Sequence, residues 1–163
     1  MPRSSGLIKT TLGIVCLLAW VAGCATVQTT SSTAETEAKQ FQPEPGMANI
    51  YLCRQSGGFG DTLVANCQLD GQDVGDLAPN TFILLSVAPG LHILRTSGPS
   101  NDEEVTCDAV AGNNYFYDVS ITWDGPLIRH RHISPMADAD GRNAVNSESR
   151  AVGVTTSPTT NSE

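Results

Sequence analysis

The stretch of sequence that decides the fold is Tyr115-Phe116-Tyr117-Asp118-Val119-Ser120-Ile121-Thr122. Successive side chains of a β-strand point to opposite faces of its sheet. The odd-numbered positions therefore place two tyrosines, a valine and an isoleucine on one face, and Asp118, Ser120 and Thr122 lie on the other. This alternation predicts a half-buried strand rather than a helix.

Short apolar or alternating runs of the same kind fill the chain on both sides of this strand. Turn residues separate the runs, and no long stretch has a helical period, so the sequence predicts an all-β domain, a small β-sandwich. Phe82-Ile83-Leu84-Leu85 is apolar on both faces, which favours a central strand. The runs are Ala48–Arg54, Leu63–Asp70, Val74–Leu77, Thr81–Val87, Leu91–Ser97, Glu104–Ala109, Tyr115–Thr122 and Leu127–Ile133.

After the last run, Met136–Asn146 predicts a short C-terminal helix. Ser134 would be its N-cap, and Pro135 would stand at the first helical position, where proline is tolerated.

Tight turns account for a second group of residues. Glycine adopts the positive φ that short hairpins require, and proline fixes its own φ at the turn position that it occupies. We therefore interpret the following residues as architectural: Asp70, Gly71, Pro89, Gly90 and Gly112.

The N-terminal region has the pattern of a targeting signal. Arg3 and Lys9 precede an apolar run of about 11 residues, too short for the roughly 20 that a membrane-spanning helix needs. Val21-Ala22-Gly23-Cys24 follows, and here the chain resembles bacterial lipoproteins. The resemblance implies removal of residues 1–23 as a signal peptide and acylation of Cys24. In such proteins an Asp after the cysteine favours the inner membrane, so Ala25 favours the outer one.

The remaining chain divides by composition. Residues 24–46 are rich in Thr, Ser, Gln, Ala and Glu, and predict a lipidated flexible tether with a span of about 25 Å. Residues 47–146 form the predicted β-sandwich domain, and the Ser- and Thr-rich residues 147–163 predict a disordered tail.

Charge excludes one class of partner. Removal of Arg3 and Lys9 from the 9 basic residues leaves 7 against 17 acidic ones, a formal net charge of −10. Nucleic acid needs a basic footprint, so we expect no nucleic-acid partner. We expect no cofactor either.

Three cysteines follow Cys24, in a compartment that permits disulfides. Cys53, Cys67 and Cys107 allow one pair and one leftover thiol, and the sequence leaves all three pairings open.

His130 and His132 lie two positions apart on a predicted strand, so their imidazoles share a face, while Arg129 and Arg131 share the other. Two such histidines could hold zinc or copper if Asp118 or Asp124 supplied a third ligand. The arginines could instead bind an anion, and a solvated edge strand is the simplest interpretation. His92 alternates with Leu94 and Thr96, which places it toward the core as a structural residue.

A family resemblance rests on the turn motifs. Leu69-Asp70-Gly71, Ala88-Pro89-Gly90-Leu91-His92 and Ala111-Gly112-Asn113-Asn114-Tyr115-Phe116 are similar to a bacterial lipoprotein domain of unknown function, and the first two also to PEGA domains. The resemblance covers roughly residues 47 to 145. It implies a prealbumin-like or PEGA-like sandwich and no catalytic residues.

The sequence therefore predicts a membrane-anchored envelope lipoprotein that faces the periplasm. Its partners would be the lipid bilayer, through acylated Cys24, and another envelope protein. We expect a non-enzymatic binding or scaffolding module, with a metal- or ligand-binding module using His130 and His132 as the alternative.

Overall fold

The computed structural model describes residues 27–57, 61–97, 102–124 and 128–153. The lipidation prediction at Cys24 lies outside these residues. In chain order the elements are α1 (Ser32–Ala38), β1 (Ala48–Arg54), β2 (Ala65–Leu69), β3 (Gln72–Leu77), β4 (Thr81–Val87), β5 (Gly90–Ser97), β6 (Glu103–Ala109), β7 (Asn114–Asp124), β8 (Ile128–Pro135), α2 (Asp138–Ser147) and β9 (Ser149–Arg150).

The strands form two sheets. One has the order β8-β7-β1-β4-β9, and the other has the order β3-β2-β5-β6. Strand β1 runs antiparallel to β4 and parallel to β7, and β9 runs parallel to β4. The predicted all-β sandwich with a short C-terminal helix is confirmed.

The main core lies between the sheets and follows the predicted alternation. Tyr117, Val119 and Ile121 of β7 join Ile50 and other buried residues in one apolar cluster, and Tyr115 packs against its margin. Strand β4 is apolar on both faces because both are covered: Ile83 faces this core, while Phe82 faces a second one.

That second core lies outside the five-stranded sheet, beneath the two helices. Tyr51 stacks on Phe116 with ring centroids 5.0 Å apart, and Phe41 packs on both rings. Helix α2 approaches the sheet closely at Gly141, where a Cβ atom would lie 2.2 Å from Cγ of Phe116. Only glycine fits there, so the residue that weakens the helical pattern in the sequence is the one that lets α2 pack.

The predicted flexible tether is wrong for residues 27–46. Helix α1 begins after Ser31, whose hydroxyl accepts from the Ala34 N–H, and Ala38 at its end is buried. The Tyr51 hydroxyl donates to the Ala38 carbonyl over 2.8 Å. Burial of Ala38 and Phe41 in the second core supplies the contacts that the polar composition of this segment hides.

The C-terminal boundary also differs from the prediction. Ser149 and Arg150 pair with Thr81 and Phe82, so the predicted disordered tail is wrong for residues 147–153, and its remaining part, 154–163, lies outside the described residues. Residues 134 and 135 extend β8 opposite Asp118 and Tyr117 rather than capping α2, whose N-cap is Ala137. Sheet pairing therefore outweighs the local capping signal.

Strand β8 lies at the margin of its sheet, where an open backbone edge would invite pairing with another chain. The Glu103 carboxylate reaches across from β6 and accepts from the backbone N–H of Ile133 at 3.4 Å and from the His132 ring at 3.0 Å. One side chain thus blocks part of the open edge.

Candidate functional site

An open cleft of about 430 Å³ lies at the end of the sandwich where β1 finishes. The residues after β1, the turn that precedes β4 and the last turns of α2 form its walls. Its lining residues are Gln55, Ser56, Asn80, Asp140, Asn143, Ala144, Ser147 and Glu148.

The lining is polar and mostly uncharged. Side-chain amides supply both hydrogen-bond donors and acceptors, and Asp140 adds one exposed carboxylate. The Ser147 hydroxyl donates to the Ala144 carbonyl over 2.8 Å, which leaves it poorly placed as a nucleophile. This chemistry suits recognition of a hydrophilic ligand through hydrogen bonds.

Glu148 is the unusual member of the lining because it is only 2 % exposed. No hydrogen bond of good geometry reaches either carboxyl oxygen from the described residues. Burial raises the pKa of Glu148 to about 8, and the nearby charge of Asp118 adds to the effect. The backbone N–H of Arg54, the charge of Lys39 and the Cys53 thiol lower the pKa by less. The carboxyl is therefore mainly protonated at neutral pH.

Lys39 fixes the wall that carries Glu148. Its Nζ donates over 2.7 Å to the Glu148 carbonyl and over 3.5 Å to the Asn146 carbonyl, and it pairs with Glu35 at 2.7 Å. A cation at a helix C-terminus also favours the helix dipole. The segment predicted as a tether thus holds one side of the cleft in place.

The turn motifs at the opposite end of the sandwich are joined by His92. Its Nδ1 lies 2.8 Å from the Asp70 carboxylate, and its Nε2 lies 2.8 Å from the Ala88 carbonyl. Both partners accept, so the doubly protonated imidazolium satisfies both bonds. Burial would lower the pKa of His92, but these two bonds outweigh it and raise the pKa.

The Asp70-Gly71 turn has the geometry that its sequence predicts. Asp70 has φ 51° and Gly71 has φ 79°, the pair of positive values that a two-residue hairpin turn requires. The second Asp70 oxygen accepts from the Ile93 N–H over 2.8 Å. Gly90 and Gly112 also have positive φ, the backbone conformation that the turn prediction requires at these positions.

Among the side chains that the structure describes, the predicted metal site is not assembled, and the side chain of Asp124, one of its two predicted third ligands, lies outside them. The rings of His130 and His132 lie 6.3 Å apart, but Nε2 of His132 lies 3.1 Å from the Thr122 hydroxyl and Nδ1 contacts Glu103. Within the described ranges, no three His, Cys, Asp or Glu side chains are placed to hold a metal ion. The arginines on the other face pack against the protein itself: Arg131 is buried, and the Arg129 guanidinium lies 4.8 Å from the centre of the Trp123 ring.

Cys53, Cys67 and Cys107 are free thiols, so the prediction of one disulfide among them is wrong for all three possible pairings. Cys53 belongs to the second core, on the face of its sheet away from the other two. Cys67 pairs with Thr96 and Cys107 with His92, on opposite sides of β5 and four residues apart along it. That offset of roughly 13 Å exceeds the Cα separation of about 7 Å that a disulfide permits.

Sequence reasoning missed the cleft entirely. Its lining comes from three separate segments, and amides and serines in turns normally indicate solvent-exposed loops. The burial of Glu148 follows from the pairing of β9 and the packing of α2. No local sequence pattern predicts either of these long-range contacts.

The fold and cleft thus define a two-layer β-sandwich with a helical cover on one face and a polar cleft at one end. A protein of Haemophilus influenzae described only as an uncharacterized protein is 27% identical to this chain over 142 residues, which cover 86% of this chain and 82% of the relative. No family model matches the chain. Among the described residues, no helix is long and apolar enough to cross a membrane.

Proposed function

We propose that this chain is a lipoprotein of the bacterial cell envelope, acylated at Cys24 and held at the outer membrane facing the periplasm. One observation carries the proposal: two basic residues, a short apolar run and the small pair Ala22-Gly23 lead directly to Cys24. A thiol at that position accepts acyl chains, and two or more chains give stable anchoring.

We further propose that the β-sandwich is a non-enzymatic binding module for another envelope protein, and that the cleft is its binding site. The amides of Gln55, Asn80 and Asn143 support this assignment, because they match the donors and acceptors of a peptide segment. The carboxyl of Glu148 is only 2 % exposed, so a ligand in the cleft has little access to it for acid–base chemistry.

The anchor is tested by Cys24→Ser in the full-length chain. We expect the unchanged protein to fractionate with membranes and to lose residues 1–23, with an acyl-sized mass increase on Cys24. The Cys24→Ser form should keep its signal peptide and carry no acyl mass. Membrane recovery of an unacylated mature Cys24 would contradict the proposal.

Binding at the cleft is tested by photocrosslinking in intact cells. A photoreactive amino acid at Asn143 should give a discrete adduct with one envelope protein, and the same amino acid at exposed Glu104 serves as the control. The adduct should disappear when Asn80→Ala is introduced as well. Equal adducts at both positions, or none at Asn143, would place binding elsewhere.

A further inference from the structure

Three apolar side chains lie exposed together on the outer face of the four-stranded sheet. Leu91 is 69 % exposed, Val110 is 54 % exposed and Ile93 is 43 % exposed. Leu91 and Ile93 are two positions apart on β5, and Asp108, opposite Leu91, is two positions before Val110. Neighbours on one face of a sheet form a continuous surface, so we call Leu91, Ile93 and Val110 the apolar patch.

The patch lies toward one end of the sandwich. Strand β5 starts beside it, and the turns Asp70-Gly71 and Ala88-Pro89 are at the same end, because His92 joins them. Strand β4 finishes there at Val87. The polar cleft lies at the opposite end, where β1 finishes.

The N-terminal segment points toward the patch end. Thr29 pairs antiparallel with Ala151, and the Val152 N–H donates to the Gln28 carbonyl over 2.8 Å. Strand β9 runs parallel to β4, so the chain followed backwards from Thr30 to Val27 runs in the direction of Val87. Gly153 lies against the carbonyl of Val74. Val74 is two residues after the start of β3, and β3 starts at the patch end.

Chain length then limits where Cys24 can be. Cys24 precedes Val27 by three residues, which span at most about 11 Å. Val27 packs against the main core, so this distance starts from a fixed point on the domain. An acylated Cys24 would therefore hold the patch end of the sandwich against the bilayer surface.

We propose that the apolar patch inserts into the interface of a zwitterionic phospholipid bilayer, so that the domain has a fixed orientation on the membrane. The inference rests on the proposed acylation of Cys24. The acidic residues Asp70, Asp73 and Asp108 surround this end and disfavour anionic headgroups. Interfacial insertion of exposed apolar side chains reaches about 5–10 Å into the headgroup and acyl boundary.

The test uses the full-length acylated protein in phosphatidylethanolamine–phosphatidylcholine vesicles. After removal of residues 1–23, Trp123→Phe leaves a chain without tryptophan, and Leu91→Trp then adds a single reporter. The matched control is Glu104→Trp, exposed on the same outer face at the far end of the sheet. Brominated lipid should reduce the emission of the Leu91→Trp reporter by about half and leave the control unchanged. Val110→Trp provides a second reporter with the same expected loss.

The outcomes separate the two proposals. Mass spectrometry first establishes whether Cys24 is acylated, and a chain without acyl groups overturns the proposed function and the orientation together. An acylated, vesicle-bound protein whose patch reporters escape quenching overturns the orientation alone. A concentration-dependent emission shift of Leu91→Trp without lipid would show that a second copy covers the patch, which also overturns it.

Discussion

Glu148 is a buried carboxyl whose neighbours do not supply the hydrogen bonds that a carboxylate needs. Its pKa of about 8 is above the ordinary value of 4.5, so the folded state holds a proton that the unfolded state releases. The stability that the protonated Glu148 contributes to the folded state is fully present below pH 4.5 and is lost as the pH rises toward 8. We therefore compare the unfolding free energy of Glu148→Gln with that of the unchanged protein at each pH. This difference should favour Glu148→Gln by about 1–3 kcal/mol more at pH 8 than at pH 5.

Urea unfolding of both proteins at the two pH values measures this effect. Asp118 and the buried thiols titrate in both proteins, so the difference between them isolates Glu148. A difference in unfolding free energy that is the same at pH 5 and pH 8 would contradict the assignment.

His92 should give a pH dependence of stability above pH 6.5, where its pKa is raised by folding. Because its pKa is raised on folding, its stabilising contribution is complete below the ordinary value of 6.5 and is lost as the pH rises through the folded value. We expect His92→Gln to lose about 1–2 kcal/mol at pH 5.5 and clearly less at pH 8.5. Denaturant unfolding measures both losses, and His130→Gln on β8 is the control. Equal losses at the two pH values would show that packing alone accounts for His92.

The cysteines should behave as three separate buried thiols. Burial raises the pKa of Cys67 to about 12 and also raises the pKa of Cys53 and Cys107, which suppresses the reactive thiolate. A maleimide reagent should label none of them quickly in the folded protein and all three in denaturant. Unfolding free energies with and without reductant should agree. A mass lower by about two units than the reduced chain would instead reveal a disulfide.

Helix α2 depends on one close contact. Alanine normally stabilises a helix interior by about 1 kcal/mol relative to glycine, but a Cβ at Gly141 would overlap Phe116. Overpacking costs about 1–3 kcal/mol and displaces the helix from Tyr51 and Phe116. We expect Gly141→Ala to lose about 2 kcal/mol of unfolding free energy, whereas Asn146→Ala, exposed on the same helix, should change it little. A stabilised Gly141→Ala would mean that α2 does not pack as described.

The strands show where sequence reasoning succeeds. Ala48–Arg54 and Thr81–Val87 have the predicted bounds because turn-forming glycine and proline residues lie within three positions of each end of these apolar runs. The sequence did not predict the register or the order of the strands in each sheet. The parallel pairing of β1 with β7 joins residues about 65 positions apart, which no local pattern encodes. Phe41 shows the same limit. One aromatic residue in a polar segment carries no periodicity, yet its ring completes the second core.

The packed N-terminal segment predicts an unusual resistance to proteolysis. Lys9 and Lys39 are the two lysines of the chain, so a lysine-specific protease cuts the mature protein at one position. Lys39 is held by Glu35 and two backbone carbonyls. We expect the folded protein to remain uncut under conditions that cleave the denatured chain completely.

Phe41→Asn provides the matched variant, since asparagine tolerates the φ of 56° at this position but removes the ring. Cleavage after Lys39, followed by gel electrophoresis, should become fast in this variant while the sandwich stays folded. Equally fast cleavage of the unchanged protein and the variant would instead support the predicted flexible tether.

If Cys24 is acylated as proposed, the packing of residues 27–46 limits the distance between the cleft and the membrane. With Cys24 anchored, at most about 11 Å of chain would separate it from Val27. Strand β1 separates the two ends of the sandwich by seven residues, roughly 23 Å. The cleft would therefore face away from the bilayer at about that height. With the proposed anchor, a partner would have to approach the cleft close to the membrane, because Val27, three residues after Cys24, already packs against the main core.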